Sequence, residues 1–251
     1  MKKQNIIGII PARIGSKRLP NKMLLPIEGK PLIQWTYENA LKCRLLDSLI
    51  IATDDLNIFQ AAKKFDAEVM MTSDSHCSGS DRCAEVIEKH PKAKNCDIIL
   101  NIQGDEPEID PTVLEKILFS LVNDTEADVA TACVRIRDAK TATNPSNVKC
   151  VFNQRNHALY FSRAMIPFGK TGEFNPEIAY YKHFGIYAFR KKCLLHYSRM
   201  PATPLQKAED LEQLKLLELG YQIYVLEVET DSLGIDTQED LEKFINKRSF
   251  Q

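Results

Sequence analysis

The first half of the chain alternates short apolar runs with amphipathic stretches, and this alternation constrains the fold more than any other feature. The amphipathic stretches predict helices, one beginning at Pro31 and one over 80–90. Repetition of strand, helix and strand favours right-handed crossovers and a mainly parallel sheet. The apolar runs, rich in β-branched residues, predict strands at 6–10, 49–52, 68–71 and 98–102.

The second half of the chain departs from this pattern. Strands are predicted at 148–153, 157–161 and 184–189 with no long helix between them, so part of the sheet is expected to be mixed. The sequence thus predicts an α/β fold, a mixed and mainly parallel sheet flanked by helices, in a single domain over 1–251. The remaining expected elements are a long helix over about 206–219, a strand over 221–227 and a helix over 238–247.

Composition excludes several classes of protein. The 33 basic and 34 acidic residues leave no excess charge for binding nucleic acid or acidic membranes. No apolar run approaches the ~20 residues of a membrane span, and the apolar N-terminal stretch lacks a signal-peptide cleavage site. The seven cysteines are scattered without metal-binding spacing, which favours free, mostly buried thiols. We therefore expect a soluble cytoplasmic protein.

The loop after the first strand is strongly basic. Guanidinium and ammonium groups bind phosphate oxygens, so a loop at the carboxyl end of a strand can wrap a polyphosphate. The loop is not a Walker A motif, and a solvated basic turn is the alternative interpretation. Its charged residues, which flank Gly15 and Ser16, are Arg13, Lys17, Arg18 and Lys22.

Two aspartates follow other expected strand ends. Asp105 lies in Gly-Asp-Glu-Pro after the fourth strand, where Gly104 would let a ligand approach closely. Asp236 precedes the last helix, and Thr237 with Asp240 resembles a capping box. Mg²⁺ prefers one or two carboxylates plus phosphate oxygens and water, so this pair can share a metal site. The alternative for Asp105 is a cap of the helix that begins near Pro111.

Two further polar residues lie in apolar surroundings. Arg163 follows an expected strand, and a buried arginine needs an anionic partner. His183 lies within another expected strand, where a structural role is the more frequent one for a lone histidine.

Eight motifs in order resemble the 3-deoxy-manno-octulosonate (Kdo) cytidylyltransferase family over nearly the whole chain. They begin at Pro11-Ala12-Arg13, Ala52-Thr53-Asp54-Asp55, Ser78-Gly79-Ser80-Asp81-Arg82, Asn101-Ile102-Gln103-Gly104-Asp105-Glu106-Pro107, Ala158-Leu159-Tyr160-Phe161-Ser162-Arg163, Lys182-His183-Phe184-Gly185-Ile186-Tyr187, Leu211-Glu212-Gln213-Leu214 and Ile235-Asp236-Thr237.

The resemblance implies a Rossmann-like fold of the nucleotide-diphospho-sugar transferase type and a homodimer. It also implies a Mg²⁺-dependent reaction of CTP with Kdo that gives CMP-Kdo and diphosphate for lipopolysaccharide synthesis. The nucleotide-binding part would cover about 1–134 and the sugar-binding, dimer-forming part about 135–205, with 206–251 returning to the core.

The resemblance also implies roles for individual residues. Arg13, Lys22, Asp105 and Asp236 would be catalytic, the two aspartates as metal ligands. The nucleotide would be bound by Arg13, Ser16, Arg18, Lys22, Ser78, Gly79 and Arg82. The sugar acid would be bound by Gln103, Arg163, His183, Tyr187, Glu209 and Glu212.

The sequence departs from the family pattern at two positions. Asn21 stands where a glycine is usual, and asparagine also tolerates positive φ. Gln206 stands where many members carry a glutamate, which leaves the sugar acid open. The alternatives are a cytidylyltransferase for 8-amino-Kdo or sialic acid, and a non-catalytic nucleotide or sugar-acid sensor on the same fold.

Overall fold

The computed structural model describes residues 4–15, 19–230 and 234–248. These residues form two compact units. The first contains the described chain up to Glu115 and the C-terminal segment from 234, and the second runs from Lys116 to 230. This boundary comes earlier than the expected end of the nucleotide-binding part near 134, and the roles assigned to the parts of the chain stay predictions.

The first unit is built on a parallel sheet with the strand order β6-β1-β4-β5. The strands predicted from apolar runs are confirmed, and the isoleucines of β1 are at most 6% exposed because both faces of the strand are covered. The elements are β1 (Ile6–Ala12), a 3-10 helix (Lys22–Leu24), β2 (Pro26–Ile27), β3 (Lys30–Pro31), α1 (Leu32–Ala40), β4 (Ser48–Thr53), α2 (Leu56–Lys64), β5 (Glu68–Met71), α3 (Gly79–Lys89), β6 (Ile98–Asn101) and the first turn of α4 (Pro111–Asn123), whose residues from Lys116 onward belong to the second unit.

The second unit contains mixed strand pairing, as the sequence predicted. β7 pairs with β11 in parallel and with β10 antiparallel, while β8 pairs antiparallel with both β10 and β9. The fold class is thus α/β, with mixed, mainly parallel pairing and flanking helices. The elements are β7 (Val129–Ile136), α5 (Ala139–Thr143), β8 (Lys149–Phe152), β9 (Ala158–Ser162), β10 (Tyr180–Arg190), α6 (Lys191–Arg199), α7 (Pro204–Glu209), α8 (Glu212–Glu218) and β11 (Ile223–Val228).

The single long helix predicted over about 206–219 is wrong. Two helices, α7 and α8, occupy this stretch, because Asp210 adopts the left-handed conformation with φ 53° and Leu211 is extended. The leucine spacing continues across the break, so the apolar pattern alone conceals it.

The last helix, α9 (Gln238–Arg248), returns to the first unit. Leu241 and Phe244 of α9 are buried in one apolar cluster with Leu19, Ile27 and Leu32. Ile235 belongs to the same cluster. This packing fixes the segment that carries Asp236.

All seven cysteines lie among the described residues and are free thiols, with Cys77 exposed and the others buried, which confirms the expectation. None of the helices in the described ranges is long and apolar enough to cross a membrane.

Candidate active site

The strand ends of the first unit lie at one edge of its parallel sheet. β1 and β6 pair in parallel with Ile9 opposite Asn101, so the residues that follow both strands leave the sheet on the same side. Arg13 follows β1 and is exposed, whereas Asp105 follows β6 and is half-buried. Ligands of open α/β sheets bind at this edge.

Lys22, Asp105 and Asp236 form one ionic cluster. The Lys22 ammonium donates to Asp105 Oδ2 at 2.6 Å and to Asp236 Oδ1 at 2.8 Å. The Lys22 side chain is 7% exposed, that of Asp105 23% and that of Asp236 43%. Positions 22, 105 and 236 are thus brought together, and Asp105 is the better shielded of the two carboxylates.

Two carboxylates of this cluster face the Lys22 ammonium. Burial alone would lower the pKa of Lys22, but Asp105 and, more weakly, Asp236 outweigh burial and raise this pKa above its ordinary value. Lys22 is therefore a cation throughout the physiological range.

The backbone holds this cluster in place from both sides. Asn21, immediately before the 3-10 helix, has φ 55°, so the turn does form with asparagine where glycine was expected. Ile235 N–H donates to the Asp105 carbonyl at 2.8 Å, which ties the C-terminal segment to the loop after β6. Asp240 Oδ2 accepts from Thr237 N–H at 2.9 Å and Asp240 N–H donates to Thr237 Oγ1 at 3.2 Å, a reciprocal cap. This cap uses the Asp240 carboxylate, while the Asp236 carboxylate accepts from Lys22.

One interpretation of the loop after β6 is wrong. Asp105 does not cap α4, because Asp110 Oδ1 accepts from Thr112 N–H at 2.8 Å and takes that role. A Cβ on Gly104 would lie 3.1 Å from Met23 Sδ and 3.2 Å from Ile33 Cδ1, so a side chain here would press on these two residues, and the close approach of a ligand to Gly104 stays a prediction.

The basic loop after β1 is described in part. Ser16, Lys17 and Arg18 lie outside the described residues. Lys22 is 6% exposed, so the solvated-turn interpretation is wrong for it. Arg13 is exposed and keeps its predicted position at the end of β1.

The residues of α3 that were expected to bind the nucleotide lie at the start of this helix: Ser78, Gly79 and Arg82. Ser78 is the N-cap and accepts from Asp81 N–H at 3.1 Å. A Cβ on Gly79 would lie 3.2 Å from Pro11 Cγ, so α3 starts in close contact with the end of β1. These residues therefore border the loop that carries Arg13.

Arg82 is buried and ion-paired, which the sequence did not predict. Its Nη2 donates to Asp54 Oδ2 at 2.8 Å, and its Nη1 donates to Thr72 Oγ1 and to the Ser73 carbonyl. Asp54 belongs to the motif after β4, but no spacing rule links it to a helix 28 positions further along the chain.

Arg163 and Glu209 are in direct contact in the second unit. Glu209 Oε2 accepts from Arg163 N–H at 2.8 Å, and Glu209 Oε1 accepts from Ser162 Oγ at 2.6 Å. The guanidinium donates to the carbonyls of Glu209 (2.7 Å), Pro145 (3.2 Å) and Asp210 (3.1 Å). Among the described residues, these carbonyls take one N–H from each guanidinium nitrogen, and Asp210 Oδ2 lies 4.0 Å from Nη2.

The expectation that Arg163 is buried is wrong, because its side chain is 37% exposed. Backbone carbonyls hold it in place of a buried carboxylate, and its planar fork is fixed before any ligand arrives.

His183 and Tyr187 are neighbours in β10, with ring centroids 5.3 Å apart. His183 is hydrogen-bonded to Thr131 Oγ1 at 3.0 Å, and burial lowers its pKa to about 3, so it is neutral near pH 7. Burial and the nearby Glu212 carboxylate raise the pKa of Tyr187 well above its ordinary value. Gln103, in the first unit, is half-buried.

Gln206 has a local role in the structure. It is the N3 residue of a capping box at the start of α7, and Gln206 Oε1 accepts from Thr203 N–H at 3.4 Å. An amide serves this role as well as a carboxylate does. The departure at position 206 therefore has an explanation within the helix.

The donor set of the first unit fits a small divalent cation. Two carboxylates converge on one cationic nitrogen, which is the number that Mg²⁺ prefers beside phosphate oxygens and water. Among the described residues there is no group of three or more histidine, cysteine or acidic side chains arranged to hold a metal. Substrate oxygens would therefore have to complete the coordination shell.

Comparison with known proteins identifies close relatives. The family described as Cytidylyltransferase matches residues 7–224. The 3-deoxy-manno-octulosonate cytidylyltransferase of Protochlamydia amoebophila is 47% identical over 238 residues, 95% of this chain and 92% of the relative. The mitochondrial enzyme of the same name from Arabidopsis thaliana is 42% identical over 96% of this chain and 82% of the relative.

Solved structures agree with these relatives. The structure of CMP:2-keto-3-deoxy-manno-octonic acid synthetase complexed with CTP superposes with a TM-score of 0.90 at 42% identity, covering 98% of this chain and 99% of that one. The 4-diphosphocytidyl-2C-methyl-D-erythritol synthase of Anaerococcus prevotii has a TM-score of 0.65 at 15% identity, a likeness of fold alone.

Proposed function

Since the chain belongs to the 3-deoxy-manno-octulosonate cytidylyltransferase family, we propose that it activates Kdo with CTP to give CMP-Kdo and diphosphate. The observation that carries this proposal is the convergence of Asp105 and Asp236 on one cation at the sheet edge where nucleotides bind. The carboxylates are far apart in the chain, and bringing them together is useful in phosphoryl transfer, where a shared cation neutralises charge on the phosphates.

Asp105 and Asp236 are the residues that would hold Mg²⁺. When bound there, the ion supplies charge neutralisation at the phosphates and lowers the pKa of the attacking hydroxyl. Both carboxylates reach one Lys22 ammonium, at 2.6 and 2.8 Å, so they lie close enough to share a single cation.

The basic residues of the first unit would neutralise the triphosphate. Lys22 lies beside the carboxylates and can donate to a phosphate oxygen, since an ammonium carries three N–H donors and two are in use. Arg13 is exposed after β1 with its guanidinium available to phosphate. We assign Ser16 and Arg18 the same role, and Ser78, Gly79 and Arg82 the nucleoside side of the site.

The sugar acid would be held by Arg163 through its carboxylate. The guanidinium carries five N–H donors, three carbonyls of the described residues accept one each, and these contacts fix its orientation, which supports this assignment. His183, Tyr187, Glu209 and Glu212 of the second unit complete the proposed sugar site, and the role of Gln103 toward the sugar acid stays a prediction.

Positioning carries the reaction in this proposal. The anomeric hydroxyl oxygen of Kdo forms a bond to the α-phosphorus of CTP as the bond to the bridging oxygen breaks, and diphosphate leaves with the electron pair. No covalent protein intermediate is needed, because alignment and neutralisation of charge lower the barrier.

We also propose a homodimer that works in the cytoplasm and supplies lipopolysaccharide synthesis. Exposed apolar side chains in the second unit, Leu159 at 61% and Phe168 at 77%, support a subunit contact there. Seven free thiols support a reducing compartment. Light scattering after gel filtration tests the dimer: a mass of one chain at micromolar concentration refutes it.

Diphosphate release with matched substrates tests the function. CTP, UTP, GTP and ATP are each paired with Kdo, 8-amino-Kdo and sialic acid in the presence of Mg²⁺. We expect release with CTP and Kdo above every other pair. Faster release with another acid identifies the related cytidylyltransferase, and no release with any pair supports the sensor.

A further inference from the structure

Lys149 in β8 is a fully buried lysine, with 0% of its surface exposed. Its ammonium donates to the backbone carbonyls of Asn144 at 3.0 Å, Asn147 at 2.7 Å and Arg163. Burial lowers the pKa of this lysine below its ordinary value. The nearby Glu209 carboxylate opposes this effect only in part, and the Arg163 guanidinium adds to it. Burying an ammonium costs free energy that an apolar side chain would not. The three carbonyls accept hydrogen bonds from the ammonium and so offset part of this cost.

Arg163 is held at both polar groups of its backbone. Its N–H donates to Glu209 Oε2 at 2.8 Å, and its carbonyl accepts from Lys149. Glu209 itself is fixed by Ser162 Oγ at 2.6 Å. The Arg163 backbone is therefore clamped between a carboxylate and an ammonium.

Lys149 also binds the turn over 144–147, which accepts a hydrogen bond from the Arg163 side chain. Pro145, whose carbonyl accepts from Arg163 Nη1 at 3.2 Å, lies between Asn144 and Asn147, the other two residues bound by Lys149. One ammonium thus joins the arginine backbone to the turn that orients its guanidinium. Removing the ammonium releases both ends of this arrangement.

We propose that Lys149 is a positioning residue that sets the orientation of the Arg163 guanidinium for the carboxylate of the sugar acid. This inference rests on the proposed function, in which Arg163 binds that carboxylate. Lys149 itself does not touch the substrate. Its effect is therefore expected on the sugar acid and not on the nucleotide.

The test is Lys149→Met, which keeps the length of the side chain and removes the charge and the donors. Lys215→Met is the matched control, since Lys215 is also a buried lysine of the second unit, 4% exposed, with its ammonium on the Met200 carbonyl at 2.6 Å. We expect Lys149→Met to raise the KM for Kdo about tenfold with less than about a twofold change in the KM for CTP. We expect the control to lower the melting temperature and to leave the ratio of the KM for Kdo to the KM for CTP unchanged.

A double-mutant cycle with Arg163→Ala isolates the coupling. In the Arg163→Ala background, Lys149→Met should produce no further rise in the KM for Kdo, because the positioned group is gone. An undiminished rise in that background, or an equal rise in both Michaelis constants of the single variant, overturns the positioning role.

The Arg163 Nε–H signal in ¹H–¹⁵N spectra gives a readout that needs no activity, and it is assigned by its loss in Arg163→Ala. We expect Lys149→Met to shift and broaden this signal while Lys215→Met leaves it unchanged. An unchanged signal in folded Lys149→Met refutes the inference, whatever the melting temperature of the variant. If wild-type protein releases no diphosphate from CTP and Kdo, the proposed function fails, and this signal still decides whether Lys149 positions Arg163.

Discussion

Replacing Asp105 with asparagine removes one negative charge from the cluster around Lys22 with almost no change in size. The amide oxygen can still accept from the Lys22 ammonium, which lies 2.6 Å from Asp105 Oδ2. Lys22 keeps its contact with Asp236 at 2.8 Å, so it does not become a buried unpaired cation. The substitution therefore alters the charge of the cluster far more than its packing.

The expected costs to stability and to activity differ widely. The ammonium–carboxylate pair becomes an ammonium–amide hydrogen bond, which is still charge-assisted, so the free energy of unfolding should fall by only about 1 kcal/mol. That corresponds to a fall in melting temperature of about 2–4 °C for a chain of this size. Loss of a ligand that supports the neutralising cation should lower kcat about 1,000-fold, or ~4 kcal/mol in activation free energy.

Diphosphate release and thermal unfolding are measured on the same preparations. The matched control is Asp110→Asn, five positions along the chain, because asparagine caps a helix as well as aspartate does. We expect this control to keep wild-type activity and stability. Activity of Asp105→Asn above about a tenth of wild type, at saturating substrates and Mg²⁺, would refute the assignment of Asp105 as a metal ligand.

Three further predictions follow from the same contacts. Arg163→Ala should raise the KM for Kdo about 100-fold and leave that for CTP nearly unchanged, as measured by initial rates, and equal effects would place the arginine elsewhere. Asp236→Asn should destabilise the fold less than Asp105→Asn, because Asp236 is 43% exposed, and a larger loss in urea unfolding would contradict this. His183, whose pKa burial lowers to about 3, is neutral in the fold while the unfolded chain takes up a proton below its ordinary pKa of about 6.5. Stability is therefore lost as pH falls below about 6.5, by about 2 kcal/mol at pH 5 through this residue. Urea unfolding at about pH 7 and at pH 5 measures the loss, and His183→Gln should remove the part that is due to this histidine.

Local signals were sufficient for most of the elements. The continuous apolar runs identified β1, β4, β5 and β6, since a strand covered on both faces carries its burial in its own composition. Asp55, directly after β4, caps α2 and accepts from the N–H groups of Asn57 and Ile58, as is typical of an aspartate at a helix start. Such signals survive in the tertiary structure because the residues that produce them are neighbours in the chain.

The break between α7 and α8 illustrates where local reasoning fails. The leucines favour one helix, but Asp210 turns left-handed and the carbonyls of Glu209 and Asp210 accept from Arg163. A residue 46 positions away thus binds carbonyls at the end of α7. No pattern within 206–219 contains that information.

The ionic cluster was predicted in part. Strand-end positions indicated that Asp105 and Asp236 share a site, because parallel strands end at one edge of a sheet. That Lys22 lies between them was not expected, since the basic loop was interpreted through phosphate alone. The buried Lys149 and the pair of Asp54 with Arg82 carried no signal, because each depends on partners distant in the chain.

The sequence by itself determined the α/β class, the strands of the parallel sheet and the residue types that are proposed to meet phosphate and a divalent cation. These follow from periodicity, capping and side-chain chemistry, which act over a few residues. Only the tertiary structure decided which charges face one another, that Lys22 bridges two aspartates and that Lys149 supports the backbone of Arg163. Electrostatic interactions depend on distance and burial, and packing of α9 against the N-terminal elements fixes both for Asp236.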